Sequence, residues 1–185
     1  IERAMSMAEC KQAVLVEKET AHRDCLTGCY DRMTIRHLVD LCFLKSDVRQ
    51  SHAMFVIDVD NFKDYNDKYG HANGDLCLKH FAAAMKKCFP KDSILGRYGG
   101  DEFVVYIKNA ASDDAHRYMD EFQREISHLI MAGGEHVTVS ASAGGVAFIG
   151  EGEDFVSLCR SADNMLYDVK RNGKGTFKIK GAKNM

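Results

Sequence analysis

Ala53-Met54-Phe55-Val56-Ile57 is five apolar residues in a row, and it stops abruptly at Asp58-Val59-Asp60. A run this short, with no polar alternation, reads as a strand buried on both faces, and so as the centre of a sheet with helices above and below. Upstream, Asp31 reads as the N-cap of a helix running to about Lys45. Downstream, Asp60 to Gly74 is polar and mixes a short helix with a glycine-bearing loop. Leu76, Leu78, Phe81, Ala82, Met85 and Phe89 then keep helical spacing as far as Pro90. Residues 94–98 and 103–107 are two strands around Gly99-Gly100-Asp101-Glu102, a hairpin signature. Ala115, Tyr118, Met119, Phe122, Ile126, Leu129 and Ile130 make another helix, closed by Gly133-Gly134. Residues 137–149 read as a strand in which Gly144 and Gly145 mark a bend or a bulge. Phe155, Leu158, Ala162, Met165, Leu166 and Val169 form a last amphipathic helix, and residues 176–179 a last short strand. The order β-α-β-β-α-β predicts an α+β fold of the ferredoxin-like split βαβ type, a central antiparallel sheet flanked by helices.

The chain around this pattern is ordinary globular material. Its 185 residues, 45% apolar and 28% charged, suffice for one domain with its own core. With 25 basic and 27 acidic side chains the net charge is −2, which offers no footprint for duplex nucleic acid or an anionic membrane. A phosphate-bearing ligand must therefore be met by a local arrangement, and no nucleic-acid polymer is expected as a partner. The seven cysteines are scattered and form no CxxC pair, which argues against both a disulfide framework and a zinc site. That usage, and the lack of a membrane-length apolar run, point to the cytoplasm. The chain begins at Ile1, so it is expected to be a domain of a larger protein, membrane-attached or not, with an upstream sensor. Residues 1–23 read as a leader helix in which Met5, Ala8, Gln12, Leu15 and Glu19 trace a weak heptad seam, either a solvated leader or the end of a coiled coil; residues 24–185 are then one folded domain.

Two clusters hold the chemistry. Asp58-Val59-Asp60 ends a buried strand, and period-two alternation puts both carboxylates on one face, with the Val59 carbonyl opening to the same site. Hard oxygen donors without histidine or cysteine suit Mg²⁺ rather than zinc. In Arg97-Tyr98-Gly99-Gly100-Asp101-Glu102-Phe103, two glycines permit a tight turn with positive φ and let a ligand approach the backbone. Adjacent acids at its tip repel each other unless a cation holds them. In the split βαβ layout this hairpin neighbours the central strand, so Asp58 and Asp101/Glu102 converge. Two strands supplying carboxylates to Mg²⁺ is the palm arrangement of nucleotidyl transfer.

The heptapeptide resembles the signature of the GGDEF family of diguanylate cyclase domains, and five further segments agree in order. Asp24-Cys25-Leu26-Thr27-Gly28 is similar to the family's DxLTG, and Asp58-Val59-Asp60-Asn61-Phe62-Lys63 to its DxDxFK. Asn66-Asp67 with Gly70-His71-Ala72-Asn73-Gly74-Asp75 is similar to ND…GHxxGD. Ser140-Ala141-Ser142-Ala143-Gly144 stands where TxSxG is expected, and Ala162-Asp163 with Leu166-Tyr167-Asp168-Val169-Lys170 is similar to ADxxLYxAK.

The resemblance implies a nucleotidyl-cyclase-like enzyme that condenses two GTP molecules into cyclic di-GMP and releases two pyrophosphates, across a homodimer in which each half-site holds one GTP. It further implies that Asp58, the Val59 carbonyl and Asp101, assisted by Glu102, hold two Mg²⁺ (or Mn²⁺) per active site. Asn66 and Asp75 would read the guanine edge, with His71 beside them. The amides of Asn61, Phe62 and Lys63 would cradle the terminal phosphates, with Lys170 as a point charge and Lys63 and Arg97 supporting the site or the second GTP. Lys174 stands where the family supplies arginine, which keeps the charge and loses the bidentate geometry. The product-inhibition motif RxxD falls on Pro90-Lys91-Asp92-Ser93, so both of its charged anchors are missing. The alternative is a catalytically silent GTP- or cyclic-di-GMP-binding regulatory module.

Overall fold

The computed structural model describes residues 22–43, 50–127, 138–149 and 154–181. The expected leader helix over 1–23 lies almost wholly outside the described residues, as do the predicted Gly133-Gly134 stop and the last turn before Lys45. The elements are α1 (Arg32–Phe43), β1 (Ser51–Val59), α2 (Phe62–Tyr69), α3 (His71–Cys88), β2 (Ile94–Arg97), β3 (Glu102–Ile107), α4 (Ser112–Ser127), β4 (Ala141–Ile149), α5 (Phe155–Arg171) and β5 (Phe177–Lys180). The sheet order is β2-β3-β1-β4-β5. Its first four strands pair antiparallel in the split βαβ arrangement, and β5 adds to β4 in parallel, which makes the sheet mixed.

β1 is the central strand, and its alternation divides the core. Ala53, Phe55, Ile57 and Val59 face one side with Phe103 and Val105, under α3 and α4. Met54 and Val56 face the other with Val104 and Tyr106, under α1 and α5. Asp58 continues the even-numbered set, so it emerges at the strand end on the α5 side. Asp31 caps α1 as expected, accepting from the Thr34 amide at 2.8 Å.

Three sequence expectations are corrected by close contacts. Residues 72–74 are helical, not loop. Gly70 alone, at φ 82°, breaks the chain: its amide donates to Asn66 O at 2.8 Å and ends α2, while its carbonyl accepts from Asn73 and Gly74 at 3.1 Å and starts α3. Gly144 and Gly145 mark no bulge, because β4 pairs with β1 in unbroken register from Ala141 to Ile149. They are small for what crosses them. A Cβ at Gly144 would strike the α5 backbone at Ala162 O and Leu166 N, and one at Gly145 would strike the Phe55 ring. The two glycines of the hairpin do not use positive φ either.

Gly144→Ala has no flexible neighbour to move and must lift α5 from the sheet. A loss on the order of 3 kcal/mol is expected, or roughly 6–12 °C in melting temperature for a domain of this size. A melting temperature unchanged by calorimetry would mean that α5 does not rest on that backbone.

Candidate active site

The site forms where β1 and β3 end. Asp58 and Glu102 are direct register partners across these strands, and the Val59 amide donates to the Asp101 carbonyl at 3.2 Å. Asp58, Asp101 and Glu102 are thus brought together at one sheet edge. Burial raises the Asp58 carboxyl above its ordinary value, and the charges of Asp101 and Asp60 add to the rise; Lys170 opposes both. Partial burial likewise raises Glu102, with Asp58, Asp101 and Asp163 adding repulsion. The cation that answers this negative charge is Lys170, reaching from the last turn of α5 to Asp58 Oδ2 at 2.8 Å.

Asp60 behaves differently from Asp58. Its carboxylate accepts from Ser142 Oγ at 2.7 Å, Ser140 Oγ at 2.8 Å and the Gly175 amide at 3.0 Å. Asp60 therefore ties the end of β1 to the start of β4 and to the α5–β5 loop. That knot places Lys174, next to Gly175, against the turn after β1, where its Nζ donates to Asn61 Oδ1 at 2.8 Å. Asn61 and Lys174 both adopt left-handed backbone, at φ 54° and 62°. Asn61 precedes α2, whose N-terminus has no side-chain cap, and the first helical bond runs from the Tyr65 amide to Asn61 O at 3.0 Å. The amides at Asn61, Phe62 and Lys63 are thus at a helix start, where anions are stabilised. The Lys63 side chain is exposed, while the Phe62 ring turns inward to stack on Tyr65. Asn66 is half-buried on α2; His71 and Asp75 are exposed at the start of α3.

The hairpin turn is held from below. Arg97 donates through Nε and Nη2 to the Gly100 carbonyl at 3.1 and 2.7 Å, and through Nη1 to both Asp24 oxygens at 3.2 Å. These bonds tie Arg97 to the turn at Gly100 and to Asp24. The turn forms without the left-handed backbone expected of its glycines. A Cβ at Gly99 would stand 2.8 Å from Glu102 Oε2, the movable end of that side chain; around Gly100 there is open space. Tyr98 is pinned by Arg32, whose guanidinium lies 4.4 Å above its ring.

The residue-by-residue reading gave Asp24 no role. It accepts from Thr27 N at 2.8 Å and Thr27 Oγ1 at 2.6 Å while it holds Arg97. Burial pushes its carboxyl up, but these bonds together outweigh burial and leave it below the usual carboxylate value. The Asp-x-x-Thr spacing signals the local turn, but no spacing signals a partner 73 residues away. In the sequence Ser140 and Ser142 stand only as part of a motif, although their alternation places two hydroxyls on one face.

The chain matches, over residues 21–176, the family model described as diguanylate cyclase, GGDEF domain. The chain belongs to the GGDEF family. GGDEF relatives include the cyclic di-GMP phosphodiesterase PdeR of Escherichia coli (strain K12), 31% identical over 157 residues, which covers 85% of this chain and 24% of PdeR. Diguanylate cyclase A of Treponema denticola is 32% identical over 127 residues, 68% of this chain and 34% of that protein. The chain thus spans well under half the length of these relatives. Among solved GGDEF structures, diguanylate cyclase SiaD of Pseudomonas aeruginosa, in complex with its activator SiaC, superposes with a TM-score of 0.82 at 30% identity, covering 94% of this chain and 67% of that one. The GGDEF domain of TpbB (YfiN) from the same organism gives 0.80 at 27% identity, covering 85% and 94%. Among the described residues no helix is long and apolar enough to cross a membrane.

Asp24→Ala leaves the Arg97 guanidinium, 16% exposed, without its counter-ion. A destabilisation of about 2–3 kcal/mol is expected. The folded carboxyl lies below its ordinary value, so this stability is present above the unfolded value and is lost as pH falls through the lower folded one. The gap between wild type and Asp24→Asn in chemical denaturation should therefore narrow below about pH 4. A gap independent of pH would rule out ionised Asp24 as the brace.

Proposed function

We propose that this chain is a diguanylate cyclase domain, joining two GTP molecules into cyclic di-GMP. The observation that supports this best is the register pairing of Asp58 with Glu102, beside Asp101, at an edge where Lys170 and Lys174 also stand. Every acid of the signature is present, which favours turnover over a silent binding module.

The residues present fit a divalent cation. The strand end gathers carboxylate oxygens and no soft ligand, and burial makes the charge of Asp58 costly unless it is compensated. Among the described residues, no group of three acidic, histidine or cysteine side chains forms a complete metal cage by itself. That suits Mg²⁺, which is commonly held by one or two carboxylates with substrate phosphates completing the shell. Asp58, the Val59 carbonyl and Asp101, assisted by Glu102, would hold it. When bound, it would lower the charge on the α-phosphate and on the leaving pyrophosphate.

The chain's own groups do the rest. The amides at the start of α2 and the Lys170 and Lys174 ammonium groups hold the β- and γ-phosphates. Lys170, which pairs with Asp58 at 2.8 Å, would turn to the phosphates when a divalent cation is held at that carboxylate. Asn66 and Asp75 take the guanine edge: an ionised carboxylate accepts from N1–H and the N2 amine, a donor pair that adenine lacks. The 3′-hydroxyl oxygen of one GTP bonds to the α-phosphorus of the other, the α–β bridging P–O bond breaks, pyrophosphate leaves with that electron pair, and the hydroxyl proton passes to solvent or a site base. A second such step closes the ring. Each step needs two half-sites face to face, hence a homodimer, which an upstream sensor domain would align.

Asp58→Ala and Asp101→Ala should each lower the rate of cyclic di-GMP formation by at least about a thousandfold, as expected for loss of an electrostatic group used in the transition state, with melting temperature nearly unchanged. Retained turnover in both would overturn the assignment. With Pro90 and Ser93 where the charged anchors of the inhibitory motif would stand, the rate should not fall as product accumulates in an assay supplied with excess GTP. Inhibition by micromolar product would point to a different product site.

A further inference from the structure

α3 contains one glycine, Gly74, in its first turn. Glycine inside a helix is less stable than alanine because its backbone loses more freedom on ordering. Its φ is not in the left-handed region, so backbone geometry does not demand it. Its neighbour does. A Cβ at Gly74 would fall on Asn66 Oδ1, 2.9 Å from Asn66 Cγ and 3.3 Å from Phe62 Cζ. The Asn66 amide therefore lies against bare α3 backbone, in space that only glycine leaves. Asn66 Oδ1 is buried there and has no hydrogen-bond partner within the chain. An unmet buried acceptor is costly, and a native structure that keeps one needs a reason for it. Phe62, its ring plane 4° from that of Tyr65, walls the other side.

We infer that Gly74 is a specificity-determining positioning residue, whose missing side chain seats the Asn66 amide beside Asp75 so that the two meet a purine edge as a pair. This rests on the proposed reading that Asn66 and Asp75 receive guanine, and it gives a cause to the glycine that Asn66 packs against and Asp75 follows. Alanine at 74 strikes no backbone. It displaces the Asn66 amide, which can rotate away, and presses lightly on the Phe62 ring edge, while the helix gains a better helix former. The fold survives the change, and base recognition does not.

The test is calorimetric binding of the α,β-methylene analogues of GTP and ATP, which cannot react, to wild type, Gly74→Ala, Asn66→Ala and the double variant. Gly74→Ala should melt no lower than wild type and bind the GTP analogue on the order of tenfold more weakly, with its preference over the ATP analogue narrowed to match. In the Asn66→Ala background the same change should alter affinity by less than about twofold, because the group it acts through is gone. In turnover assays KM for GTP should rise more than kcat falls. Unchanged affinity and selectivity in Gly74→Ala would overturn the inference while leaving GTP binding by wild type intact. A melting temperature several degrees lower would overturn it too, since more than Asn66 would then have moved. Failure of wild type to bind the GTP analogue, or no effect of Asn66→Ala, would instead overturn the parent reading and the inference with it.

Discussion

Carboxylates on adjacent strands, partly withdrawn from water, repel each other unless a cation stands among them. Asp58 and Glu102 are opposed across β1 and β3, and both carboxyls sit above their ordinary values. Nothing in a stable sheet requires such a pair. The rest of the architecture supplies its compensation or holds it in place. α5 crosses β4 closely enough, over Gly144, to bring Lys170 to Asp58. Arg97 ties the hairpin turn to Asp24, and Asp60 ties the end of β1 to β4 and to the α5–β5 loop. The stability invested in these braces does not improve the core; it fixes the positions of charged groups at one sheet edge.

This division of labour explains why two aspartates one residue apart do different work. Asp58 is the last even-numbered side chain of β1 and meets Lys170, a long, mobile ammonium that another cation or a phosphate can draw away. Asp60 lies past the strand and is saturated by two hydroxyls and an amide, so it has little left to offer an incoming ligand. One acid is poised and the other is structural. The same contrast separates Lys170, paired with a carboxylate, from Lys174, paired with the neutral Asn61 amide.

Much of this was legible in the sequence, and the parts that were not share a cause. The apolar run 53–57 gave away β1 because burial on both faces leaves no room for alternation, and the signature hairpin, with both flanking strands, followed from its glycines. The glycines are where sequence and structure part. Gly144 and Gly145 suggest a bend, yet they are small to admit the α5 backbone and the Phe55 ring, and Gly99 and Gly100 turn without positive φ. Gly70, which does need positive φ, joins two helices where a loop was expected. Local sequence shows that a residue lacks a side chain but not which distant element fills the space. The Asp24–Arg97 pair was hidden for the same reason: each half is an ordinary charged residue until the fold brings them together.

The central claim is that two copies of this edge, each holding one GTP, form cyclic di-GMP. The most direct measurement is chromatographic analysis of the products formed from GTP and Mg²⁺ over a series of protein concentrations. The account predicts cyclic di-GMP and pyrophosphate in a one-to-two ratio, at a rate rising faster than linearly with protein, as a site assembled from two chains requires. Binding of GTP with no cyclic di-GMP at any protein concentration would contradict it and leave a nucleotide-binding regulatory domain.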